Sequence, residues 1–362
     1  DIAQCLVGSE MCIRDRVSLS SIWNTIYPIL IAILFFELII IIHEGGHFVA
    51  ARLMKIKVNE FSIGMGPKIF SFTKGATKYS LRWILFGGYC AMEGEDEDSE
   101  ESGSFSKKSV GARLFVVAAG AVMNLILGFL IIGCIVSSGD LIGTPTVAKF
   151  DENAVSAASG LQAGDTIKSI DGMRVYTATD VETGLSRSPD GNVQMVVERN
   201  GEDVSLDVTF AMQEYEGRQF INMDFWLLGK EKTVGGVLQS SCGMFVSYVR
   251  MIFLSVADLL SGRYGLSDLS GPVGTVSVVS TAVKTSVTSM LRIMALLTVN
   301  VGLFNLFPIP ALDGWRFFIL LGEGIFKKKL PPKWEYAINA AGLVVLLGIM
   351  VIVTFSDVTK LF

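Results

Sequence analysis

The sequence predicts a polytopic α-helical membrane protein of about four transmembrane helices, with a membrane-associated β-hairpin and an inserted β-rich domain. Three observations lead there. Four apolar blocks are of a length to cross a bilayer, which takes about 20 residues. A polar, glycine-punctuated stretch divides them into two pairs, and the charges segregate by loop. At 51% hydrophobic and 18% charged residues, the chain is also more apolar than an ordinary soluble protein.

In chain order, residues 1–16 (DIAQCLVGSEMCIRDR) match nothing downstream in pattern, are too polar for a signal peptide, and are read as a non-native scar. The first apolar block, residues 22–42, runs directly into His43-Glu44-Gly45-Gly46-His47. Two β-prone runs follow, Phe61-Ser-Ile-Gly64-Met-Gly66-Pro67 with Ile69-Phe-Ser-Phe72, and Tyr79 to Gly88. The Lys74-Gly75 turn between them predicts a hairpin over residues 58–89. Its hydrophobicity places it against or within the membrane face, or flat on the bilayer surface. The acidic run 93–101 is a solvated loop.

Residues 116–136 form the second block and complete a first membrane part, residues 17–136. Residues 137–235 are the inserted domain, with a core at 144–210. Turn signals stand at Asp171-Gly172, Asp190-Gly191 and Asn200-Gly201, the last between two alternating strands. The second membrane part, residues 236–362, holds blocks at 291–308 and 337–355. A shorter run at 244–257 carries Arg250 and reads as an interfacial or cavity-lining helix.

Charge sets the orientation. Residues 52–113 carry ten Lys/Arg, and the loop between the last two blocks adds Arg316, Lys327, Lys328, Lys329 and Lys333. Residues 137–240 hold eight Lys/Arg against sixteen Asp/Glu. The basic loops are therefore cytoplasmic and the β-rich domain extracytoplasmic, with both termini outside and the histidines near the cytoplasmic end of the first span. A net charge of −5 without a basic aromatic cluster argues against nucleic acid. The five cysteines show neither metal spacing nor a disulfide framework.

His43 and His47 are the chain's two histidines. Random placement would set two histidines four apart with odds of about one in 180, before a glutamate is required. On a helix, i and i+4 share a face, so both imidazoles can ligate one zinc ion, and Glu44 can act as base on a zinc-held water. A catalytic zinc takes a third protein ligand, here a carboxylate or a cysteine. The best candidate is Asp313, in Asn305-Leu-Phe-Pro308-Ile-Pro310-Ala-Leu-Asp313-Gly314, where two prolines break the helix at the same predicted depth. The alternative is a plain Asp-Gly turn at a helix end.

With these motifs in this order, the chain resembles the site-2 proteases, intramembrane zinc metalloproteases of the bacterial RseP/RasP type. Phe61-Ser-Ile-Gly-Met-Gly66 is similar to the segment that follows the family's His-Glu-x-x-His. Gly160-Leu-Gln-Ala-Gly164-Asp165 resembles its PDZ domain, and Leu269-Ser-Gly-Pro-Val-Gly274 matches a further family motif. A single PDZ-like stretch is closer to the RasP-like members.

The resemblance implies that His43, His47 and Asp313 bind Zn2+ and that Glu44 is the catalytic base. Asn124, in Gly120-Ala-Val-Met-Asn124, and Asn305 would hydrogen-bond an unwound substrate backbone or steady the oxyanion; polar packing between helices is the alternative. The hairpin would add a strand to the substrate. Substrates would be transmembrane proteins of the bacterial cytoplasmic membrane, such as anti-sigma factors or signal-peptide remnants left by a first cleavage. The PDZ-like domain would filter them by size or read new C-termini. Three positions depart from the family pattern: Trp315 replaces a second glycine, Ala121 a proline, and Glu37 is a carboxylate inside a span.

The rival reading is a catalytically silent scaffold presenting a PDZ domain, but a structural zinc site wants four protein ligands and no fourth is evident. A transporter would show repeated interrupted spans, and no internal repeat is present.

Overall fold

A computed structural model describes residues 19–360 except 96–98, 189, 216–217, 264 and 266–268. Residues 1–16 lie outside the described residues. The chain divides into two compact units. One holds the chain up to Val116, Leu269–Ile293 and the stretch from Lys329 onward; the other holds Val117–Asp268 and Met294–Lys328.

The first unit is built on helix α1 (Leu19–Leu53). It is almost continuously apolar over residues 26–42, and its end is marked by Lys55 in the left-handed region (φ 55°). The Ile56 amide there donates to the Ala51 carbonyl at 2.8 Å, closing carbonyls the helix leaves open. Leu30, Leu34 and Leu38 stay exposed along it, which suits lipid rather than water.

Strands β1 (Val58–Lys74) and β2 (Thr77–Met92) follow. They are longer than a plain hairpin needs and fold over, so that residues 60–63 lie beside both 88–91 and 78–81. Glycines make the bends. Gly64 and Gly87 adopt φ of 81° and 119°; a Cβ on Gly64 would sit 2.8 Å from the Ile84 carbonyl oxygen, and one on Gly87 2.6 Å from Met65 Cε. A polar knot ties the layers: Glu60 accepts from Ser80 Oγ at 2.7 Å and from Arg82 Nη2 at 3.0 Å. Burial opposes ionisation of Glu60, yet the bonds from Ser80 and Arg82 hold its pKa down to about 2. Phe48 of α1 meets Phe61 and Tyr79 of the sheet edge to face.

Helices α6 (Pro272–Thr285) and α9 (Pro332–Thr359) complete this unit; α6 packs on both α1 and α9. The Leu269–Gly274 motif acquires a physical reason here. Asp357 of α9, 5% exposed, accepts the Gly274 amide at 2.8 Å in the first turn of α6, where the helix dipole favours negative charge. A Cβ on Gly271 or Gly274 would come within 2.9 or 3.0 Å of that carboxylate.

Helix α2 (Val110–Ser138) begins in the first unit and continues in the second, where it meets α7 (Val287–Phe304) through small residues. A Cβ on Gly302 would lie 3.1 Å from the Ala121 carbonyl oxygen, and one on Gly128 2.6 Å from Val299. Such close approach is how apolar helices associate where no water drives them together. Helix α7 stops at Phe304, four residues short of the expected block end at 308.

The β-rich domain contains β3 (Ile142–Phe150), β4 (Thr166–Ile170), β5 (Met173–Arg174), β6 (Asn192–Arg199), β7 (Glu202–Thr209) and β10 (Phe225–Lys230), with the short pair β8 (Met212–Tyr215) and β9 (Arg218–Ile221) apart. Helices α3 (Val155–Ala158) and α4 (Ala178–Ser186) interrupt the strands. The sheet order is β10-β3-β4-β6-β7, with β5 on β4. The β6–β7 turn takes the expected form, Asn200 and Gly201 both with positive φ (53° and 85°). Ile167, Ile170, Val181, Met195, Val197 and Val208 fill the core together with Phe225. The domain therefore closes through β10, downstream of the expected core at 144–210. Asp165, 1% exposed, is held by Arg199 and the Gln162 amide; against the cost of burial these keep its carboxyl below the usual range.

The Arg250 run is a 27-residue helix, α5 (Val234–Leu260), longer than expected. Its polar side chains bind the β-rich domain: Arg250 pairs with Asp180 of α4 and Asp258 with Arg187 just past the end of α4, while Ser247 Oγ meets Thr177 Oγ1 at 3.1 Å. Among the described residues five helices, α5 among them, are long and apolar enough to cross a membrane. The remaining helix, α8, spans Asp313–Phe326.

Candidate metal centre and active site

His43 and His47 stand one turn apart near the end of α1, their Nε2 atoms 3.3 Å apart. His47 is buried at 7% exposure, and its Nδ1 donates to the Val116 carbonyl of α2 at 2.9 Å. A carbonyl only accepts, so the His47 proton is on Nδ1 and the Nε2 lone pair is left facing His43. Two imidazole nitrogens converging on one point, one of them fixed by a hydrogen bond at its other nitrogen, is donor chemistry that suits zinc.

Glu44 projects toward the sheet. Its Cγ lies 3.5 Å from the place a Cβ on Gly88 would occupy, so the missing side chain at Gly88 lets β2 approach the glutamate. The adjoining Cys90 thiol is pushed up to about 12, first by burial and then by the Glu44 charge. Cys90 is therefore an uncharged packing residue.

Asp313 is the first residue of α8, in the second unit. After α7 ends, the Ile309 amide turns back to the Phe307 carbonyl at 2.7 Å and the Leu312 amide to Ile309 at 3.1 Å, with Ala311 in the left-handed region (φ 74°). Pro308 and Pro310 donate nothing and keep this stretch out of a helix. The glycine after Asp313 is obligatory: a Cβ on Gly314 would lie 2.0 Å from the Phe307 carbonyl oxygen. Trp315, the departure from the family pattern, has a buried indole Nε1 with no hydrogen-bond partner among the described residues.

Asn124 is fully buried in α2. The Asn305 Nδ2 donates to the Val301 carbonyl at 3.1 Å, one turn back. Sequence reasoning passed over Gly88 and Gly314, the two positions where absence of a side chain shapes the site. The adjacent glycine pair 87–88 and the Asp-Gly step were the only signals for them.

Residues 31–349 match the model of peptidase family M50. The chain belongs to that family. It is 36% identical over 332 residues to a zinc metalloprotease of Clostridium perfringens, covering 91% of this chain and 98% of the relative. It is 29% identical to the zinc metalloprotease RasP of Shouchella clausii (90% and 97% covered). Against the regulator of sigma-W protease RasP of Bacillus subtilis, identity is 26% (91% and 98% covered). The M50 chain is thus a zinc metalloprotease, a hydrolase whose cofactor is Zn2+.

Proposed function

We propose that this M50 protein is an intramembrane endopeptidase that hydrolyses peptide bonds within transmembrane segments of other membrane proteins. The observation that carries the reading is the convergent His43/His47 pair, with Glu44 between them, near the end of an apolar helix long enough to span a bilayer.

His43, His47 and Asp313 would hold the zinc. When bound, zinc supplies a Lewis acid that makes water nucleophilic near neutral pH. Glu44 takes the proton as the water oxygen bonds to the scissile carbonyl carbon, then returns it to the amide nitrogen as the C–N bond breaks. A helical amide is bonded within its own segment, so the substrate must unwind first, and its freed N–H and C=O groups need partners. The β2 segment beside Glu44 offers backbone groups, and Asn124 and Asn305 offer amide side chains.

In this reading α1, α2, α7 and α9 cross the bacterial cytoplasmic membrane. Helix α5 does not, because its Arg250 and Asp258 are engaged by a folded polar domain. Residues 137–235 are a PDZ-like extracytoplasmic domain between membrane parts 17–136 and 236–362, and it filters substrates by size or reads their new C-termini. By analogy with the Bacillus relative's name, anti-sigma factors are the first substrate class to try, with signal-peptide remnants the second.

The test is cleavage of tagged transmembrane segments by purified full-length protein in bilayers, with zinc content measured in parallel. Cuts mapped by mass spectrometry inside the segment support the proposal. Cuts confined to flanking soluble sequence contradict it.

A further inference from the structure

The outer part of the β1–β2 sheet is amphipathic by alternation. Directly opposed residues share a face. Ser71 opposes Ser80 and Thr73 opposes Lys78 on one side; Phe70 opposes Leu81 and Phe72 opposes Tyr79 on the other. The apolar side is open: Phe70 is 61% and Phe72 50% exposed. A patch of this kind does not rest in water, and in a chain built on membrane-length helices its cover is acyl chain.

The polar side holds more positive charge than it can neutralise. Glu60 lies within ion-pair reach of two cations, Arg82 Nη2 at 3.0 Å and Lys68 Nζ at 3.8 Å. Lys78 stands directly across from Glu60 and makes no ion pair among the described residues. Arg82 is turned inward: its Nε donates to Ser62 Oγ at 3.0 Å and its Nη1 to the Gly66 carbonyl at 2.8 Å. Glu60 and Arg82 therefore satisfy each other, and two ammonium groups remain beside a carboxylate already engaged. Lys68 is held below the ordinary lysine range, first by contact with Lys78. Ser71 and Thr73 add two exposed hydroxyls to the same side.

We infer that Lys68 and Lys78, flanked by the Ser71 and Thr73 hydroxyls, form a binding site for the phosphate of an anionic phospholipid. A phosphodiester brings negative charge and acceptor oxygens to a face that has only donors to spare. The apolar side selects lipid over free phosphate. With that side down on the acyl chains, the lysine stems reach the headgroup level of a negatively charged leaflet. The bound phosphate fixes the depth of the sheet, and does so whether or not the protein cuts substrates.

The experiment reads amide hydrogen exchange over residues 66–85 of full-length protein in phosphatidylcholine bilayers, with and without phosphatidylglycerol. Residues 144–210 are the internal reference. Wild type is compared with Lys68→Gln/Lys78→Gln and Lys68→Arg/Lys78→Arg. We expect phosphatidylglycerol to slow exchange about fivefold in the wild-type segment and not in the reference. The glutamine pair should lose that protection and the arginine pair keep it. Inorganic phosphate added to phosphatidylcholine bilayers should protect nothing. Equal exchange in the two wild-type bilayers overturns the inference, since apolar contact alone then holds the sheet. Protection by inorganic phosphate as strong as by phosphatidylglycerol overturns the lipid assignment in favour of a free anion. Full protection of the glutamine pair overturns the assignment to these lysines. Should that pair already exchange faster in phosphatidylcholine, the arginine pair decides: slowing by phosphatidylglycerol supports the inference and its absence overturns it.

Discussion

His47 donates its Nδ1 proton to the Val116 carbonyl at 2.9 Å, which leaves its Nε2 lone pair directed at the Nε2 of His43. A backbone carbonyl cannot be lost by mutation of its own side chain, so the orientation of the His47 ring is built into the packing of α2 on α1. His47→Ala should reduce zinc to below a tenth of an equivalent per chain, measured by plasma mass spectrometry. His47→Gln, which lacks a basic nitrogen of equal strength, should do nearly as badly. Full zinc occupancy in either would remove His47 from the ligand set.

Gly314 offers a sharper test of the loop that carries Asp313. A methyl group there would overlap the Phe307 carbonyl oxygen at 2.0 Å, and backbone oxygen cannot swing aside as a side chain can. Gly314→Ala should cost about 3 kcal/mol and lower zinc affinity with it. The check is thermal unfolding in detergent with and without added zinc. Gly322→Ala, where nothing lies within 4 Å, is the control and should be neutral.

The Glu60–Arg82 pair gives a pH dependence of defined sign. The folded pKa of Glu60, about 2, lies below its ordinary value of 4.5. Its stabilisation is therefore complete above 4.5 and is lost as pH falls from there toward 2, roughly 3 kcal/mol at most. Hydrogen exchange over residues 58–92 should accelerate across that window beyond the intrinsic trend. In Glu60→Gln the extra acceleration should be absent.

The pairing of Arg250 with Asp180, 1% exposed, joins α5 to the β-rich domain. Removing only the arginine leaves a buried, uncompensated carboxylate, so Arg250→Met should destabilise the protein by about 3 kcal/mol. The double variant Arg250→Met/Asp180→Asn should recover part of that loss. Strict additivity in the cycle would show that the pair does not form, and α5 would regain its claim to be a fifth span.

Local signals in the sequence were legible and distant ones were not. Helical spacing alone puts His43 and His47 on one face, and Asn200-Gly201 announces its turn because both positions need positive φ. The helices that cover 116–136 and 337–355 follow from apolar length. By contrast, β1 and β2 double over because residues 60–63 pair both with 78–81, 18 positions on, and with 88–91, 25 to 31 positions on, and their pattern reads equally well as a plain hairpin. Phe225 enters the β-rich core by pairing with Phe150, 75 positions earlier. The need for glycine at 271, 274 and 314 comes from a carboxylate or carbonyl placed by another part of the fold. Arg250 flagged α5 as unusual, but only its partner Asp180 explains why.

Glu44 is the proposed base of a zinc-dependent cut made inside the membrane. Cleavage of a transmembrane substrate by wild type and Glu44→Gln, at equal measured zinc content, tests it most directly. Wild type should give product cut within the span, and Glu44→Gln at least a thousandfold less. Cleavage by the zinc-loaded Glu44→Gln variant at a rate near wild type would contradict it.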